Sequence, residues 1–188
     1  MIIEETPIAG LKVIRFSLIR DERGYFARTF CSRDFERHGL KPTIAQANLA
    51  FSYRSGTTRG MHFQIPPTAE TKLVRCTRGA IQDVVVDLRP ESPTFLEHFE
   101  LELTSDNGTA LYVPERFAHG YQTLTDDVEV AYEVGAFYTP NCERGLRFDD
   151  PRLALPWRLR PTSVSDKDRN WPLLEPDRLA LLRKELGL

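Results

Sequence analysis

The chain reads as an all-β protein, a sandwich or barrel of short strands with a few short peripheral helices. Two observations carry this reading. Several segments alternate apolar and polar residues with the period of two that marks a half-buried strand. Turn-forming clusters separate these segments at fairly even spacing, as in a sandwich or barrel.

In chain order, Ile14, Phe16 and Leu18 mark an early strand. Ser32 is placed to cap a short helix that runs through Phe35 and ends at Gly39. Lys72 to Cys76 and Ala80 to Leu88 read as two strands joined near Gly79. In Phe99-Glu100-Leu101-Glu102-Leu103 the apolar residues alternate with glutamates. Leu111-Tyr112-Val113 is a short strand stopped by Pro114. From Val128 to Val134 the alternation puts Val128, Val130, Tyr132 and Val134 on one face and Glu129 and Glu133 on the other. Turn signals fall at Arg78-Gly79, Asp106-Asn107-Gly108, His119-Gly120 and Thr125-Asp126-Asp127. The proline- and charge-rich run from Pro151 to Pro176 is expected to be irregular but packed on the barrel. Pro176 then opens a helix with Leu179, Leu182 and Leu186 on one face.

The 188 residues suit a single domain, 1–188, with a real core. A net charge of -2 gives no bulk attraction to nucleic acid or to a membrane surface. Three cysteines with no CxxC pair argue against a disulfide framework and against structural zinc. A reducing, cytoplasmic setting follows. The start, MIIEETPIAGLKVIRF, lacks a signal pattern, and no apolar run approaches the roughly 20 residues of a membrane helix.

Four residues stand out as possible chemistry. His62, in Arg59-Gly60-Met61-His62-Phe63-Gln64, is of the type best suited to take a proton near neutral pH, though a lone histidine is more often a packed one. Lys72 shares a face with Val74 and Cys76, and the pattern leaves open whether that face is inward. An inward lysine needs an anionic partner such as an enolate oxygen or a phosphate. Tyr132 shares its face with three valines, so it points inward and needs a hydrogen-bond partner, either backbone or substrate. Asp168, in Asp166-Lys167-Asp168, is either part of a solvated loop or a carboxylate that reaches back to orient a histidine. Arg20, Arg23 and Arg28 surround Gly24 and suit phosphate contacts. No glycine-rich phosphate loop is present, so side chains must hold any nucleotide.

Taken together these stretches resemble dTDP-4-dehydrorhamnose 3,5-epimerases. The matching pieces are Asp21 to Phe26, Gln46-Ala47-Asn48, Arg59 to Gln64, Lys72 to Cys76, Asp83 to Thr94, Phe117-Ala118-His119-Gly120, Asp149-Asp150-Pro151 and Ser165 to Asp168. The likeness runs from about residue 1 to 175. It implies a cupin-type jelly-roll barrel, a homodimer whose N-terminal strands extend the partner's sheet, and no metal or redox cofactor. It also implies roles on a nucleotide-diphospho-sugar substrate. His62 is the general base, paired with Asp168. Tyr132 is the acid on the opposite face of the sugar, and Lys72 stabilises charge on the C4 oxygen. Arg23, Gln46, Asn48, Arg59, His119, Glu143 and Lys167 match substrate-binding positions, and Tyr138 an aromatic that stacks on thymine.

The chain departs from the family at Arg28, where the family has glutamate, and at Ala47, often an aspartate. A reversed charge at Arg28 bears on nucleotide recognition and leaves the proton-transfer set intact. An epimerase acting at a single carbon, or on a different 4-keto nucleotide sugar, is the near alternative. A metal-dependent cupin is the more distant one: it wants a His-x-His and a glutamate in its first motif, where this chain offers His62, Gln64 and Glu70.

Overall fold

The computed structural model describes residues 1–187. A six-stranded sheet is ordered β1 (Ile2–Glu5), β2 (Lys12–Arg15), β10 (Thr109–Val113), β7 (Lys72–Arg78), β12 (Val128–Val134) and β5 (Gln46–Ser52). A five-stranded sheet is ordered β13 (Glu143–Gly145), β6 (Thr58–Gln64), β11 (Phe117–Thr123), β8 (Ala80–Asp87) and β9 (His98–Thr104). Pairings within both sheets are antiparallel. A separate hairpin joins β3 (Ile19–Asp21) to β4 (Gly24–Phe26). Short helices lie at α1 (Ser32–Arg37), α2 (Asp166–Arg169) and α3 (Pro176–Glu185).

The two sheets face each other as a jelly-roll barrel. Val13, Val74, Leu111, Val128 and Val130 from the first pack against Ile81, Val85, Leu103, Phe117 and Tyr121 from the second. Both outer faces are also covered. Leu73, Ala110 and Tyr112 on the back of the six-stranded sheet pack with Phe35 of α1. Met61, Phe63, Val84, Val86 and Ala118 on the back of the other pack with Leu153, Leu174, Leu182 and Leu186 from the C-terminal quarter. Layers on either side of both sheets explain why β8 is buried almost throughout instead of alternating.

The irregular run after Pro151 is held by side-chain amides. Gln82 and Gln122, both fully buried, each pair reciprocally with its backbone. Gln82 donates to the Pro156 carbonyl (2.7 Å) and accepts from the Arg158 N–H (2.9 Å). Gln122 does the same with Leu159 (2.9 and 2.8 Å). Such bonds let a segment outside the sheet be buried without orphaned polar groups.

Three sequence readings need correction. The early strand ends at Arg15, and Phe16 and Leu18 lie in the connection to β3. Cys31, not Ser32, occupies the N-cap of α1 and makes no side-chain capping bond; burial of Phe35 holds the helix instead. His119-Gly120 is no turn but the middle of β11, fully inside the sheet. A glycine signals close backbone approach as readily as a turn, and here it does the former.

Candidate active site

The site begins where β6 crosses β11. Gly60 has φ +110°, and a Cβ there would lie 2.6 Å from the Gly120 Cα. A Cβ on Gly120 would lie 2.6 Å from the Arg59 carbonyl. Only glycine at both positions permits this approach. The close crossing places His62 and His119 opposite each other in register.

Each histidine is tied to a buried carboxylate. His62 Nε2 lies 2.5 Å from Asp168 Oδ1, and His119 Nε2 lies 2.6 Å from Asp83 Oδ1. Asp168 reaches His62 from α2, whose N-cap Ser165 accepts the Asp168 N–H (3.1 Å). The segment before α2 is stitched to β6 by a bond from the Thr58 N–H to the Ser163 carbonyl (2.9 Å). Burial pushes the Asp168 carboxyl up. The bond to His62, the His62 charge and the Gly60 N–H outweigh it, holding the group below the usual aspartate value.

Across the barrel the six-stranded sheet supplies a cation and a phenol. Lys72 shares its face with Val74 and Cys76 in the core between the sheets, so it points inward. Its Nζ donates to the His62 carbonyl (3.2 Å) and pairs with Glu70 (3.2 Å). Tyr132 packs against the same core. Burial first, then the charge of Glu70, raises its pKa, against the opposing pull of Arg59 and Lys167. A cavity of about 550 Å³ opens between the sheets, lined by Arg59, His62, Lys72, His119, Tyr132, Lys167 and Asp168 among others. His62 and Tyr132 thus face one space from opposite sheets.

Other expected residues form a rim. Tyr138 donates from its hydroxyl to Glu143 (2.9 Å) and from its backbone N–H to Gln46 (2.7 Å). Lys167 donates to the other Glu143 oxygen (2.7 Å). Burial raises the Glu143 carboxyl, but these two donors bring it below its ordinary value. Asn48 is exposed and pairs in register with Tyr132, so it continues the face on which Ala50 lines the cavity. Arg23 is not brought to this group. It sits on the exposed β3–β4 hairpin, paired with Asp21, and Arg28 is exposed just beyond it.

Two of the site's features escaped sequence reading. Asp83, the partner of His119, was legible as the start of a family-like stretch and as the one acid between Ala80 and Val86, but not as a site residue. Tyr121 also lines the cavity, its hydroxyl buried without a partner; burial pushes its pKa up to about 12. Gln64 and Glu70, weighed as metal ligands, turn elsewhere. Gln64 bonds to Thr68, Phe137, Thr139 and Glu70, and Glu70 faces Lys72.

The model of the dTDP-4-dehydrorhamnose 3,5-epimerase family matches residues 5–176. A dTDP-4-dehydrorhamnose 3,5-epimerase of Sinorhizobium fredii is 42% identical over 175 residues, covering 93% of this chain and 90% of that one. The crystal structure of the Bacillus anthracis enzyme of that name, with TDP and PPi bound, superposes with a TM-score of 0.88 at 40% identity, covering 92% of this chain and 98% of that one. A 3'-monoepimerase from Streptomyces bikiniensis, in complex with dTDP-quinovose, superposes with a TM-score of 0.84 at 33% identity, covering 97% and 90%. With its jelly-roll barrel and its histidine, lysine and tyrosine around one cavity, the chain belongs to the dTDP-4-dehydrorhamnose 3,5-epimerase family, a family of isomerases.

Proposed function

We propose that this protein epimerises dTDP-4-dehydro-6-deoxyglucose at C3 and C5 on the route to dTDP-rhamnose. The observation that carries the proposal is the placement of His62 and Tyr132 on opposite walls of one cavity, with Lys72 between the sheets beside them. A ketone at C4 acidifies the protons on C3 and C5. His62 removes one, and Asp168 steadies the imidazolium that forms. The electron pair moves onto the C4 oxygen as an enolate, which the Lys72 ammonium stabilises by a few kcal/mol. Tyr132 returns a proton from the other face and inverts the centre. Opposite walls are essential, because one group acting from one side restores the original configuration.

Arg59, His119 and Lys167, with Gln46, Asn48, Tyr138 and Glu143 on the rim, hold the nucleotide and the sugar. Tyr138 is exposed and tied through Glu143 to Lys167 of the cavity wall, which leaves its ring free to stack on a base. Arg23 is supplied to the site of a second copy in a homodimer. Ile19, Tyr25 and Phe26 on the hairpin, Leu49 on edge strand β5 and Tyr53 just beyond its end support this, since all five are large, hydrophobic and more than half exposed. The cytoplasm is the setting we infer, supported by three free cysteines. Among the described residues no helix is long and apolar enough to cross a membrane.

Proton NMR in heavy water with a panel of 4-keto nucleotide sugars tests the reading. Deuterium entering both C3 and C5 of the dTDP sugar is the expected result. Exchange at one carbon selects a monoepimerase, a reading favoured by the likeness to the Streptomyces bikiniensis enzyme. No exchange with any member of the panel overturns both.

A further inference from the structure

Glu70 lies just before β7 and is absent from the cavity wall, yet it pairs with Lys72, which lines that wall. Its Oε1 is 3.2 Å from Lys72 Nζ, and both side chains are nearly buried, at 12% and 10% exposure. Its other oxygen accepts from Gln64 Nε2 (3.2 Å), which is itself fixed by the Thr68 and Phe137 carbonyls. An ammonium has three N–H donors. Glu70 and the His62 carbonyl take two of them, leaving one for the cavity. Resting on the roles proposed above for Lys72 and Tyr132, we propose that Glu70 is a positioning residue for proton transfer. It anchors the Lys72 ammonium so that a single N–H faces the enolate oxygen, and it sets the charge around Tyr132.

The second half of this role has a clear sign. The charged and titratable groups around Tyr132 are Arg59 and His62 from β6, Lys72 from β7, His119 and Tyr121 from β11, Lys167 and Asp168 from α2, and Glu70. Arg59 and Lys167 favour the phenolate, while burial and Glu70 favour the neutral phenol. An acid must hold its proton until the enolate needs it. Glu70 therefore adds to burial in favouring the neutral phenol against two nearby cations. The same carboxylate fixes the cation that stabilises the intermediate, so one side chain tunes both halves of the reaction.

Glu70→Gln tests this, because it removes the charge while keeping the size and a bond to Gln64. Tyrosine labelled with carbon-13 at Cζ is titrated by NMR, with the Tyr132 resonance assigned from its loss in Tyr132→Phe. The midpoint of Tyr132 is expected to fall in Glu70→Gln and to return toward wild type in Glu70→Asp. The alkaline limb of the kcat profile moves down with it. At neutral pH kcat falls about tenfold while KM changes less than about twofold, because Glu70 does not touch substrate. A Tyr132 midpoint unmoved in Glu70→Gln overturns the proposal, whatever happens to turnover. Undiminished isotope exchange in Tyr132→Phe instead overturns the acid role itself, and the two failures are read separately.

Discussion

The cavity holds two histidine–aspartate pairs of nearly the same length, and they are built in different ways. His62 and Asp168 are 106 residues apart, and the aspartate arrives on α2 from the irregular C-terminal run. His119 and Asp83 sit on adjacent strands of one sheet. The His62 side chain is 29% exposed to the cavity and His119 only 9%. Both Asp168 oxygens are bonded, one to His62 and one to the Gly60 N–H, whereas Asp83 Oδ2 is buried without a partner. On the function proposed, the same chemical pair serves two ends. A histidine open to ligand, backed by a fully satisfied carboxylate, is equipped to accept a proton from that ligand. A histidine sunk in the sheet is equipped to hold one orientation and present a fixed group to the substrate.

The largest effect is expected from His62→Ala. If His62 is the base, kcat for isotope exchange falls by about 100- to 10,000-fold, while nucleotide binding measured by calorimetry persists. Full exchange in that variant refutes the assignment. Asp168→Asn is next, with a loss of about 100-fold in kcat, because the imidazolium loses its counter-charge. His119→Gln should behave differently: KM rises about tenfold and kcat changes by only a few-fold, as for a group that binds ground and transition states alike. A kcat loss matching that of His62→Ala would erase the distinction between the two pairs.

The smallest effect is on stability. Asp168 titrates lower in the folded chain than the 3.8 of a free aspartate. Its contribution is thus fully present above that value and is lost as pH falls through the lower, folded-state value. Melting temperatures of wild type and Asp168→Asn, recorded by circular dichroism, should differ most at neutral pH and converge as pH drops below 3.8.

Much of this protein was legible before any coordinates. Val128 to Val134 forms β12 with the boundaries its alternation implies, and Tyr132 lies on the face that its three valines indicate. Gly39 and Gly79 mark real stops, and Pro176 opens α3. The motifs around His62, Lys72, His119 and Asp168 indicated the family, which the relatives bear out. These features depend on neighbours within a few residues, so local pattern contains them.

The tertiary structure decided the rest. Alternation shows that Lys72 shares a face with Val74, but both faces of β7 are covered, so only the packing of Val74 between the sheets and Leu73 beneath α1 shows which is inward. Gly120 looks like a turn until Gly60 is seen against it. Asp168 reaches His62 on a chain that buried Gln82 and Gln122 clamp at 156–159 and that the Thr58–Ser163 bond ties to β6, and Arg23 stays apart on an exposed hairpin, paired with Asp21. Periodicity records which way a residue points relative to its neighbours in sequence. Which groups then meet depends on contacts between strands and loops far apart in the chain, and those are settled by burial and hydrogen-bond satisfaction over the whole fold.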